Sequence, residues 1–112
     1  MLSPQASAEA RALAAWSTAR IRPDGYTQAA RMLAHGRLIE DAARYSGPVL
    51  VVAGSADTIT PPAGCERIAR AFPRASYRLL EGPAHLSYLD APAIVNGIIA
   101  DFAASCTQGA TA

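Results

Sequence analysis

Pro48-Val49-Leu50-Val51-Val52-Ala53-Gly54-Ser55-Ala56-Asp57 is an apolar run that ends in a glycine and then a carboxylate. An apolar stretch of this length, rich in β-branched valine and bounded by Pro48 and Gly54, predicts a strand covered on both faces, as in a parallel sheet with helices on either side. Ligands of such sheets bind beyond the carboxyl ends of the strands, which is where Asp57 falls. Taken alone, Gly54-x-x-Asp57 reads more readily as a turn whose carboxylate bonds nearby backbone N–H groups.

A second motif raises the functional reading. Residues 75–81 alternate Tyr77 and Leu79 with Ser76 and Arg78, which predicts a strand with one wetter face, and Gly82-Pro83-Ala84-His85 follows it. Between the strands, Cys65, Ile68, Ala69 and Phe72 share one helical face, with Thr60 as expected N-cap and Pro61 as first helical residue. A helix between two strands implies a right-handed parallel crossover, so Asp57 and His85, 28 residues apart, come to the same sheet edge. There a carboxylate can accept the imidazole N–H and leave the other ring nitrogen as a general base.

Upstream, Ser3 is the expected N-cap and Pro4 the first residue of an alanine-rich helix reaching about Arg20. Arg22-Pro23-Asp24-Gly25 reads as a turn. A second helix carries Tyr26, Ala29, Ala30 and Leu33 on one face and stops at His35-Gly36, with His35 placed to favour the helix dipole. Leu38, Ile39, Ala42 and Ala43 make a short third helix. Downstream, Asp90 is the expected cap of a last helix whose apolar face is Ile94, Val95, Ile98, Ile99 and Phe102.

Bulk properties narrow the function classes. At 112 residues, 51% hydrophobic and 17% charged, the chain is a globular domain, and a net charge of +1 gives no electrostatic basis for binding nucleic acid or an anionic membrane. Cys65 and Cys106 suit plain thiols in a reducing, cytoplasmic setting. No run approaches the roughly 18 apolar residues that span a bilayer. Gly54 alone is no phosphate cradle, and Asp57 with His85 lacks the further ligands of a metal site, so no cofactor is expected.

The two motifs together, Pro48 through Pro61 and then Gly82-Pro83-Ala84-His85, resemble the C-terminal third of an α/β-hydrolase. The resemblance implies an α/β fold of two parallel strands with flanking helices plus N-terminal helices from the cap. It divides the chain into cap-end and return helices (1–47), the C-terminal part of the hydrolase core (48–104) and a disordered tail (105–112). It implies Asp57 as triad acid and His85 as triad base, acting on a small ester or lactone-type substrate, with Ile59, Leu86 and Tyr88 lining the pocket from this side. Thr60-Pro61-Pro62 with Ala84-His85-Leu86-Ser87 and Ala91-Pro92 is most similar to the 3-oxoadipate enol-lactonase and C–C-bond hydrolase branch.

The departure from the family pattern is the nucleophile. No serine stands in Gly-x-Ser-x-Gly; Ser55 lacks the second glycine, and Cys65 sits on an apolar helix face. A two-stranded sheet is marginal by itself, and the first strand is apolar on both faces. The expectation is therefore a C-terminal hydrolase fragment that pairs through residues 49–53 with an N-terminal hydrolase piece or a second copy of itself. The alternative is a non-catalytic association module that retains the fold.

Overall fold

The computed structural model describes residues 1–108. The elements follow in the order α1 (Ala8–Thr18), α2 (Pro23–His35), α3 (Leu38–Ala42), β1 (Val49–Gly54), α4 (Pro62–Ala71), β2 (Ala75–Leu80), α5 (Ser87–Asp90) and α6 (Pro92–Gln108). β1 and β2 pair in parallel, in register from Val49↔Ala75 to Gly54↔Leu80, with α4 as the crossover. This is the strand, helix, strand unit that the hydrophobic pattern predicts.

The pleat sorts the two faces. Leu50 and Val52 of β1 pack against the core cluster formed by Leu80 of β2 with Val95 and Ile98 of α6. The other face, Val49, Val51 and Ala53, turns toward α4. On β2 the buried residue is Leu80 at the strand's end, whereas Leu79 is exposed. On α6 only Val95 and Ile98 of the expected stripe are buried; Ile94 and Ile99 are exposed. Among the described residues no large side chain is fully buried.

Several helix starts differ from the sequence expectation, each for a local reason. α1 begins at Ala8 and is capped by Ser7, whose Oγ accepts the Ala10 N–H at 3.1 Å. Ser3 is instead buried, and its own N–H donates to the Asp90 carboxylate. Pro23-Asp24-Gly25 forms the first turn of α2 and not a separate turn, because proline at the first helical position has φ preset and no N–H to strand. Pro61, not Thr60, stands at the N-cap of α4, and Asp90 is the last residue of α5 and not the cap of α6. Thr60 spends its hydroxyl on the Asp57 carboxylate, and Asp90 its carboxylate on the Ser3 and Ala84 N–H groups.

α6 runs to Gln108, so 105–108 are helical where a tail is expected. Ala103 and Ala104 are strong helix formers, and the Ser105 and Thr107 hydroxyls bond back to the Phe102 and Ala104 carbonyls. Residues 109–112 of the expected tail lie outside the described residues. No helix among the described residues is long and apolar enough to cross a membrane.

Candidate active site

The loops after β1 and β2 leave the same end of the sheet and are stitched together. Ser55 N–H donates to the Leu80 carbonyl at 2.8 Å and Ala56 N–H to the Pro83 carbonyl at 3.0 Å. Ser55 Oγ accepts the Gly82 N–H at 2.8 Å, which gives this serine a structural occupation. Gly82 takes φ +100°, a left-handed conformation that side chains resist, and this turns the chain toward His85. Gly54 serves differently: a Cβ there would run into the backbone carbonyl of Pro83. The end of β1 and the histidine loop thus touch, backbone against backbone.

Asp57 is buried and its carboxylate is saturated. Oδ1 accepts the N–H groups of Ile59 (2.8 Å) and Thr60 (2.9 Å). Oδ2 accepts the Thr60 hydroxyl (2.7 Å) and His85 Nδ1–H (3.0 Å). Burial by itself pushes this carboxyl up, but the bonds from the Thr60 hydroxyl and N–H, from His85 and from the Ile59 N–H together hold it far below the ordinary carboxylate range. It is ionised and can only accept.

That fixes the proton on the histidine. Because Asp57 is an acceptor and the single Thr60 proton points at Oδ2, His85 Nδ1 must be the donor. Its N–H is shared between Oδ2 and, at 3.2 Å, the Thr60 oxygen. In the neutral ring this tautomer leaves the lone pair on Nε2. The His85 side chain is about one third exposed while that of Asp57 is buried, so the base reaches solvent and the acid does not.

Thr60 is the site residue that the pattern of the sequence did not reveal. Its position before Pro61-Pro62 matches an N-cap, and only the Asp57 spacing of three residues hints that the hydroxyl returns to the carboxylate. Replacing Thr60 by valine removes one of two donors to Oδ2. The Asp57 carboxyl is then expected to titrate at higher pH, with a stability loss of about 1.5–3 kcal/mol, the worth of a hydrogen bond to a charged group. Thr60→Ser should restore both; carboxyl ¹³C titration and urea unfolding read them.

The depressed Asp57 value also sets a pH dependence. The unfolded chain titrates this group near 3.8 and the folded chain lower, so the unfolded state binds more protons as pH falls. Its contribution is fully present above about pH 4–5 and is lost as pH drops through the folded value. The urea midpoint of the wild type minus that of Asp57→Asn should therefore be largest at neutral pH and shrink steadily below about pH 4.

The remaining sequence candidates are placed as follows. Ile59 gives its N–H to Asp57 and exposes its side chain; Leu86, next to His85, is half-buried; Tyr88 is exposed on α5. A cavity of about 530 Å³ lies behind the histidine loop, lined by Ser3, Arg78, Leu80, Pro83, Asp90 and Ile94 among others, and none of Asp57, Ile59, His85, Leu86 or Tyr88 lines it. Cys65 is half-buried with its thiol toward the Thr60 carbonyl, and His35 spends its Nδ1–H on the Arg31 carbonyl.

The histidine loop is held from a third direction. Asp90 Oδ2 accepts the Ala84 N–H at 2.8 Å while both its oxygens accept the Ser3 N–H, and Leu86 N–H donates to the Met1 carbonyl. Asp90 is thus a clamp between the chain start and the residue before His85.

Comparison with known proteins agrees with this architecture. The family model described as "alpha/beta hydrolase fold" matches residues 9–92, three quarters of the chain. The chain belongs to the α/β-hydrolase fold family. Two solved structures resemble this α/β-hydrolase chain at a TM-score of 0.59 each. One is BpoC of Mycobacterium tuberculosis H37Rv, a candidate non-heme bromoperoxidase, at 29% identity; the other is a thermophilic esterase from Thermogutta terrifontis, solved with malate bound, at 26%. Each match covers 61% of this chain and 25% of the other, so the matched part amounts to about a quarter of either solved chain. No curated protein matches significantly. The α/β-hydrolase features present are the acid–histidine pair and its loops; a Gly-x-Ser-x-Gly elbow is not in the sequence.

Proposed function

We propose that this chain supplies the acid and the base of a serine-hydrolase triad acting on a small ester, lactone or related carbonyl substrate. The observation that carries the reading is the 3.0 Å contact of His85 Nδ1 with a buried, ionised Asp57, which leaves Nε2 free at the sheet's carboxyl end. Nε2 takes the proton of a serine as its oxygen attacks the substrate carbonyl, and then returns it to the departing alkoxide. Asp57 holds the tautomer and offsets the imidazolium charge between those steps. Water repeats the sequence on the acyl-enzyme.

The serine comes from polypeptide outside this sequence, an N-terminal hydrolase segment that joins the sheet beside β1. Ile59, Leu86 and Tyr88 are the pocket walls from this side. The likeness to an esterase supports the ester class, and Thr60-Pro61-Pro62 with Ala84-His85-Leu86-Ser87 supports the enol-lactonase and C–C-bond hydrolase branch. Two free thiols fit the cytoplasm.

The test is complementation. The chain alone should stay unlabelled by a fluorophosphonate probe and leave p-nitrophenyl acetate intact. Joined to a hydrolase segment bearing Gly-x-Ser-x-Gly, it should gain both labelling and turnover. A folded assembly with an intact elbow and neither activity would overturn the proposal and leave the non-catalytic module standing.

A further inference from the structure

The peptide unit between Pro83 and Ala84, immediately before His85, is held at both ends. Its carbonyl accepts the Ala56 N–H at 3.0 Å, and its N–H donates to Asp90 Oδ2 at 2.8 Å. A trans peptide is planar and its C=O and N–H point in opposite directions, so bonds at the two poles fix the plane against rotation. Ala56 is the chain neighbour of Asp57. One rigid unit therefore runs between the residue before the acid and the residue before the base. Pro83 and Ala84 are both buried, which leaves these protein groups, and not water, as the partners.

Asp90 is placed for this by the loop itself. Its own N–H donates to the Leu86 carbonyl at 3.0 Å, so the residue grips the chain on both sides of His85: Ala84 with its side chain and Leu86 with its main chain. This ring of bonds lies wholly within residues 84–90. The Ser3 N–H adds a second donor to Oδ2 at 3.0 Å, and two donors converging on one oxygen suit a carboxylate. None of the bonds to this carboxylate comes from the His85 ring.

We propose that Asp90 is a positioning residue for the base: its carboxylate orients the Pro83–Ala84 peptide, and with it the chain entering His85, so that Nδ1 meets Asp57 and Nε2 stays free. That His85 is the base rests on the hydrolase reading; its orientation by Asp90 does not. Without this acceptor the Ala84 N–H is buried and unpaired, and the peptide plane turns to find a partner. The Ala56 bond to the same unit is then disturbed, and the 3.0 Å contact of His85 with Asp57 opens.

Asp90→Ala and Asp90→Asn in the full chain separate positioning from support. Ring ¹⁵N shifts of His85 should show the proton held on Nδ1 in the wild type and spread over both nitrogens in folded Asp90→Ala. The one amide oxygen of Asp90→Asn can take the Oδ2 place and accept the Ala84 N–H, so this variant should restore the wild-type shifts. In the complemented enzyme Asp90→Ala should lower kcat about 10²-fold with KM unchanged, the scale of a misplacement of about 1 Å, and Asp90→Asn should recover most of the loss. The Ala84 amide of the wild type should exchange slowly, a reading that needs no variant to fold. Wild-type ring shifts in an Asp90→Ala variant whose urea midpoint has fallen would reduce Asp90 to a structural support and overturn the proposal. So would an Asp90→Asn variant as impaired as Asp90→Ala, or rapid exchange at Ala84. Absence of turnover in every complemented form, wild type included, tells against the hydrolase reading, and the ring shifts still decide the role of Asp90.

Discussion

In the complemented enzyme, His85→Ala should lower kcat by about four to six orders of magnitude with little change in KM, since the imidazole acts on the reacting serine and not on substrate binding. Asp57→Asn should cost about four orders, by a different route. An asparagine amide could donate to Nδ1, and the ring would then place its proton on Nε2, where a base needs a lone pair. The two variants should also separate in structure. Asp57→Asn disturbs the bonds from Ile59, Thr60 and His85, whereas His85→Ala removes one of four donors to the carboxylate. Single-turnover kinetics with an activated ester checks the rates. Near-normal turnover in His85→Ala would remove this residue from the mechanism.

Gly54→Ala is the substitution expected to damage the site most from a distance. The new Cβ meets the Pro83 carbonyl, a main-chain atom that cannot rotate away as a side-chain tip would, so either β1 or the histidine loop must shift. Overpacking of this kind costs about 1–3 kcal/mol. Because Ala56 N–H bonds that same Pro83 carbonyl, and Ala84 is tied to Asp90, displacement of the loop carries His85 away from Asp57. Urea unfolding should show the loss, and the downfield Nδ1 proton of His85 should fade in the NMR spectrum. Gly82→Ala should destabilise for the opposite reason: space is open there, but φ is +100°.

The pair Asp57 and His85 was legible in the sequence because parallel crossover topology alone brings the ends of β1 and β2 together. The apolar run at Val49–Val52 and the helical spacing of Cys65, Ile68 and Ala69 sufficed for that. What failed was the local assignment of polar side chains. Ser3, Thr60 and Asp90 each stand where a helix cap is plausible, yet none caps a helix. A carboxylate can take a distant backbone N–H in place of a nearby one, and a hydroxyl can donate to a side chain in place of capping a helix, and a plausible cap position does not decide between these. Thr60 went to Asp57, Asp90 went to Ala84 and Ser3, and the cap of α1 fell to Ser7. The stripe on α6 was read correctly as apolar, but which of its members are covered depends on what faces them. Val95 and Ile98 meet Leu80; Ile94 and Ile99 remain exposed.

The clamp of Asp90 on Ser3 spans 87 residues. Closing a loop of that length costs about 4 kcal/mol in chain entropy beyond the constant term, about 1 kcal/mol more than the crossover that pairs β1 with β2. Contacts of such high sequence separation form late. The sheet and α4 should therefore assemble first, with Asp57 held by Ile59 and Thr60 and the start of the histidine loop held by Ser55 and Ala56, while the tether of Ala84 to Ser3 through Asp90 forms later. The final fixing of the loop that carries His85 thus falls to Ser3 and Asp90, residues that take no part in its chemistry.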